Sequence, residues 1–226
     1  MIKPLEFLNT HTTDILLWDA DMIDINGNKI KSRENTFYIH TGADTTKIYT
    51  GKDIIMAQLN DHNEYATTVW LGIYRKKFLT DNEFWFEKNI LHEDELWTPK
   101  VLSKAQSVKY FKNNVYHYRV RNNSIMRNER INCKKHLNSL VYIFSSLYNY
   151  FDRKDMNENF RRKIKANISK RFLHSISRYN AYKYPDISQK IDKKIIFRNS
   201  MGLKDIIRSA ILIINGKLYC RLTRNY

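Results

Sequence analysis

His92-Glu93-Asp94-Glu95-Leu96-Trp97 is the stretch on which the reading of this chain turns. Three consecutive carboxylates precede the apolar Leu96 and Trp97. That pattern predicts a helix over 93–104, with Pro99 confining it to a short first piece or a kinked one. Acidic residues at a helix start are stabilised by its free amide groups, and this dipole compensation is a sufficient reason for them. The second reading is that one carboxylate, aimed into a cleft, takes a proton from a substrate hydroxyl. The cluster by itself does not choose.

Working outward, Ala66 to Tyr74 has strand character through Thr67, Thr68, Val69, Trp70 and Ile73. Ser107 to Lys112 and Val115 to Val120 pair as a hairpin about Asn113-Asn114. Further upstream, Leu5 to Asn9 reads as a helix end, Asp14 to Trp18 as a buried strand and Asn26-Gly27-Asn28 as a turn. Thr50 can cap a short helix entering Ile54, Ile55 and Met56. The expected class for residues 1–126 is therefore mixed α/β.

Residues 127–226 read as a basic, amphipathic helical region. Leu137, Leu140, Val141, Phe144 and Leu147 fall on one stripe, and Phe160, Ile164, Ile168, Phe172 and Ile176 on another. Arg161, Arg162, Lys163, Lys165, Lys170 and Arg171 are expected on the opposite, solvated side. Charge follows the same division: residues 1–100 hold 11 Lys and Arg against 16 Asp and Glu, whereas 101–226 hold 28 against 7. A field of that sign attracts nucleic acid, anionic lipid or the diphosphate of an activated sugar. Cys133 and Cys220 stand far apart with no Cys/His cluster, so a reduced cytosolic compartment with neither zinc nor a disulfide framework is the default. The longest apolar run, Ala210 to Ile214, is far too short to span a bilayer.

Four segments in series carry a resemblance: Ile73-Tyr74-Arg75-Lys76-Lys77-Phe78-Leu79, Phe84-Trp85-Phe86, His92-Glu93-Asp94-Glu95-Leu96-Trp97 and, after Val108, Tyr116-His117-Tyr118-Arg119-Val120-Arg121-Asn122-Asn123-Ser124-Ile125. In order and spacing they resemble the second half of the family 2 glycosyltransferase catalytic domain. The resemblance implies a partial GT-A domain, its acceptor-side half, followed by the basic helical region. It also implies inverting transfer from a nucleotide-sugar donor to a saccharide or lipid-linked acceptor hydroxyl, in cell-surface polysaccharide synthesis.

Asp94 is then the base and Glu93 its support. Trp97 offers a face to a sugar ring, with a core aromatic equally open. Arg119 and Arg121 share a strand face and could meet a diphosphate, solvated edge charges being the plain alternative; Ser124 follows them. His117 faces away from Tyr116 and Tyr118.

The intact family uses a divalent metal, Mg or Mn, on an Asp-x-Asp motif. Asp19-Ala20-Asp21 matches the letters, yet Met1 to Leu8 resembles the segment just after the true motif, Asp14 to Leu17 the next strand and Asp24-Ile25-Asn26-Gly27 the following turn. The expectation is a chain that starts past its donor site, with no metal ligands of its own.

At the other end, Leu203 to Leu222 reads either as a helix lying on an anionic membrane surface, at the cytoplasmic face, or as one packed on the catalytic domain. Two rival classes remain. A basic helical nucleic-acid-binding protein is disfavoured because no helix-turn-helix, zinc-finger or RNP signature accompanies the charge. A noncatalytic partner subunit is the other.

Overall fold

The structure is a computed structural model that describes residues 12–30, 38–121 and 132–223. The helix end expected at Leu5 to Asn9 and the expected substrate contact Ser124 lie outside the described residues. The chain divides into two compact units, one of Met1–Lys88 with Glu93–Ser124 and one of Asn89–His92 with Ile125–Tyr226.

The first unit is built on a four-stranded sheet of order β2-β4-β1-β3. Strand β1, Ile15–Ile23, is buried along nearly its whole length, as a strand covered on both faces must be. It pairs in parallel with β4, Val108–Arg119, and antiparallel with β3, Gly72–Tyr74, while β2, Ile48–Tyr49, closes the other edge. A parallel pair needs a crossover, and the chain between β1 and β4 supplies helices α1 (Gly51–His62), α2 (Lys76–Asp81) and α3 (Glu93–Lys104).

Two strand expectations are corrected. Asn113-Asn114 is no hairpin turn: both halves pair with β1, and the register moves from Trp18↔Phe111 to Asp19↔Asn114. The surplus residues make a bulge in one long strand. Between Ala66 and Tyr74 only Gly72–Tyr74 finds a partner, and Val69–Leu71 winds into a 3-10 turn. β-propensity marks residues that suit a pleat; pairing decides whether they enter one.

The helices begin where the sequence places them. Thr50 accepts from the Asp53 amide at 3.2 Å and donates its hydroxyl to Asp53 Oδ2 at 2.6 Å, a reciprocal cap on α1. Helix α3 continues through Pro99 as one element, although the Glu95 carbonyl loses its usual amide partner there. The contact that holds it is close backbone packing. A Cβ on Gly51 would lie 1.6 Å from the Leu102 carbonyl oxygen, and the Gly51 amide donates to Ala105 O at 2.9 Å.

The second unit is helical: α4 (Cys133–Phe151), α5 (Glu158–Arg178), α6 (Pro185–Ser188), α7 (Lys193–Asn199), α8 (Leu203–Ile214) and α9 (Gly216–Thr223). Both expected stripes are its core, with Leu137, Phe151, Ile164 and Ile176 inaccessible to solvent. Lys165 departs from expectation. Helix α5 is buried around most of its girth, so Lys165 lies inside, its Nζ 2.5 Å from Asp152 and 4.2 Å from the Tyr148 ring centroid. The stretch Leu203 to Leu222 is two helices rather than one, because Asn215 turns extended and its side chain accepts from the Leu218 amide at 3.0 Å to start α9.

Candidate active site

Helix α3 carries Asp94 in its first turn and runs back along the sheet. Its last turn meets Gly51, beside the Tyr49↔Val108 pair where β4 begins. One turn earlier, Thr98 Oγ1 donates to Thr67 O at 2.5 Å, next to Ala66, which packs with Trp18 and Ala20 of mid-β1. Asp94 thus lies at the end of α3 away from the Gly51 contact.

Asp94 is half-buried, its Oδ1 accepting from the Glu95 amide at 2.9 Å, while Glu93 is exposed. Behind it lies Tyr74. Burial first, and then the Asp94 charge, push the Tyr74 phenol well above its ordinary value, so it stays protonated beside the carboxylate. His92, the residue before the helix, has φ +62 and belongs to the second unit, where its Nε2 meets His136 Nδ1 at 2.8 Å.

Trp97 is 5% exposed and is a core aromatic. It meets Tyr74 edge-on at 4.9 Å, stacks on Phe86 at 4.8 Å, and donates Nε1–H to Phe84 O at 3.3 Å. The aromatic left open is Trp85, 72% exposed, which the sequence marks only as part of an aromatic cluster.

At the carboxyl end of the sheet, Asp21 and His117 are register partners, and their side chains are hydrogen-bonded. Lys29 Nζ stands 3.0 Å from the other Asp21 oxygen. Burial works to raise the Asp21 carboxyl, but the hydrogen bonds and charges of His117 and Lys29 outweigh it and hold it below the ordinary value. Strand alternation puts Arg119 on the His117 face, with Arg121 following just beyond β4. Both arginines are exposed, and among the described residues no ion pair engages them. On the opposite face Tyr116 and Tyr118 pack on Trp70, at 4.4 and 5.8 Å between centroids. Nothing local in the sequence announces the Asp21–His117 pair, since its members are 96 positions apart.

Asp19 and Asp21 both have protein partners. Asp19 Oδ1 accepts from the His40 amide at 2.9 Å and faces His40 Nδ1 at 3.3 Å, and its Oδ2 accepts from the Tyr110 hydroxyl at 2.5 Å. Asp21 is held by His117 and Lys29. Both Asp19 oxygens accept from protein donors, whereas Asp21 is hydrogen-bonded to His117 through Oδ1 alone, its buried Oδ2 having only the Lys29 charge nearby among the described residues, so the motif links the strands through His40, Tyr110 and His117. Among the described residues no group of three His, Cys, Asp or Glu is arranged for a cation.

No family model matches the chain. Over 115 residues it is 26% identical to the uncharacterized glycosyltransferase YibD of Escherichia coli K12, a match covering 48% of this chain and 33% of that protein. Its fold is similar to the crystal structure of S. aureus TarS 1–349, with a TM-score of 0.59 and 17% identity over 99% of this chain and 60% of that one. About half of the chain is thus similar in sequence to a glycosyltransferase. The chain spans a third of the curated relative and three fifths of the solved one. No helix among the described residues is long and apolar enough to cross a membrane.

Proposed function

We propose that this chain forms the acceptor-side part of an inverting, family 2-like glycosyltransferase of GT-A type, acting in cell-surface polysaccharide synthesis. The Asp94 carboxylate takes the proton of an acceptor hydroxyl as its oxygen attacks the anomeric carbon of a nucleotide-sugar. The bond to the nucleoside diphosphate breaks on the opposite face, and the electron pair leaves with the diphosphate. Arg119 and Arg121 receive its charge, and Trp85 rather than Trp97 gives the acceptor ring an apolar face. The divalent metal that the family resemblance implies is expected to be held outside the residues described.

The observation that carries the reading is the half-buried Asp94 in the first turn of α3, beside the protonated Tyr74. A base must share a cleft with its substrate, and the proposal puts that cleft at the carboxyl ends of the strands, where open α/β sheets bind ligands. Because the donor-binding half is expected to lie outside this chain, which would then be inactive alone, the test joins the chain to the donor-side half of a family 2 glycosyltransferase, supplies nucleotide-sugars and saccharide acceptors, and measures nucleoside diphosphate release. Asp94→Asn is expected to lower turnover about 10²–10⁴-fold with KM little changed. Glu93→Gln should have a much smaller effect. Undiminished turnover in Asp94→Asn would remove Asp94 from the mechanism.

A further inference from the structure

Helix α8 presents its apolar side to solvent. Of its twelve residues only Ser209 and Leu212 are buried, and both lie on one narrow face. The opposite face carries Leu203, Ile206, Ile207 and Ile214, with Leu203 75% and Ile214 82% exposed. Helix α9 continues the surface with Leu218 and Leu222. Soluble proteins scatter such side chains singly; a contiguous set of branched aliphatics marks a surface that something covers.

The arrangement is fixed from beneath. The Tyr219 hydroxyl donates to Leu173 O at 2.8 Å, Thr223 Oγ1 to Ser177 Oγ at 2.6 Å, and the Tyr182 ring occupies the space a Cβ on Gly216 would need. Helix α9 is thus anchored to α5, and the outward aspect of α8 belongs to the packed unit.

The charge of this surface names its occupant. Lys194, Arg198, Lys204, Lys217 and Arg221 surround it, all exposed, and no ion pair engages them among the described residues. Lys217-Leu218 and Arg221-Leu222 repeat one turn apart, so cation and aliphatic point outward together. Between residues 193 and 223 the sole acid is Asp205. A second copy would bring like charge against like. Nucleic acid would answer the cations but offers no hydrocarbon to the aliphatic side chains. An anionic lipid leaflet does both: acyl chains take the leucines and isoleucines while headgroups meet the lysines and arginines.

We propose that α8 and α9 form a docking surface by which the chain lies on an anionic membrane, inserting the α8 aliphatics into the interface without crossing it. This stands on observations separate from those at Asp94, so either can fail without the other.

The experiment is co-sedimentation of the full chain with phosphatidylcholine vesicles, with and without phosphatidylglycerol. Binding is expected only with the anionic lipid and should weaken as salt rises. Ile207→Asp with Ile214→Asp should abolish it while changing the thermal melt little, because Ile214 is 82% and Ile207 49% exposed. Lys217→Ala with Arg221→Ala should weaken it roughly thirtyfold. Equal binding to both vesicle types would overturn the assignment of charge. Absence of vesicle binding, or vesicle binding that Ile207→Asp with Ile214→Asp leaves intact, would overturn the proposal. So would concentration-dependent dimerisation, or salt-sensitive nucleic-acid binding, in place of vesicle binding.

Discussion

Asp21 and His117 face one another across the parallel β1–β4 pair, hydrogen-bonded at the end of the sheet where Arg119 also lies. The pair ties the end of one strand to its neighbour. It also gives Asp21 a preference for its charged form.

That preference sets an acid dependence. The folded-state carboxyl titrates below its unfolded value of 3.8, so its contribution to stability is present above 3.8 and is lost as pH falls through the folded value. Thermal melts carried down through the carboxylate range should show a loss that Asp21→Asn largely removes. The same variant should cost about 1–3 kcal/mol at neutral pH. An unchanged pH profile in Asp21→Asn would show that the pair does not carry this charge.

Alkaline conditions probe other buried groups. Burial, reinforced by the Asp19 hydrogen bond and charge, drives the Tyr110 phenol far above its ordinary value, and Tyr182 and Tyr219 are pushed up to about 12, chiefly by burial. A raised folded value contributes stability in full below 10.0 and loses it as pH climbs beyond. An ultraviolet titration should show exposed tyrosines ionising first and a late group ionising only as the chain unfolds. Tyr110→Phe should shrink that late step.

Gly51→Ala tests what positions Asp94. A methyl group 1.6 Å from the Leu102 carbonyl cannot be accommodated without moving α3. Expected is a loss of about 3 kcal/mol in urea unfolding, and any transfer activity should fall with it although Gly51 makes no contact with the proposed chemistry. Stability within about 0.5 kcal/mol of the parent would contradict the packing.

Lys165→Met examines the buried cation of α5. Its partner Asp152 is half-exposed and can return to water, so an apolar chain of similar length should leave stability within about 1 kcal/mol. Lys165→Ala loses packing against Tyr148 as well and should cost more. Equal losses in the two variants would mean that the ion pair, not the packing, stabilises the site.

Trp85→Ala addresses acceptor recognition. Because Trp85 is already exposed, folding should be unaffected, while acceptor KM should rise about tenfold with turnover little changed. No change in KM would return the search for a sugar platform to other side chains.

What the sequence determined by itself is what short-range physics controls. Thr50 and Asp53 cap their helix, the stripe from Leu137 to Leu147 is buried, and Ile15 to Trp18 form an interior strand, because spacing and capping act within a few residues. Asp94 at the start of a helix was legible for the same reason. Only the tertiary structure decided that Asn113-Asn114 is a bulge, that Lys165 lies inside and that Trp97 is core while Trp85 is not. Each depends on which distant segment arrives as a partner. It decided too which partners Asp19 and Asp21 have, since Tyr110 and His117 reach them from more than ninety positions away. Local pattern records a residue's preference, and long-range pairing fixes what that preference is used for.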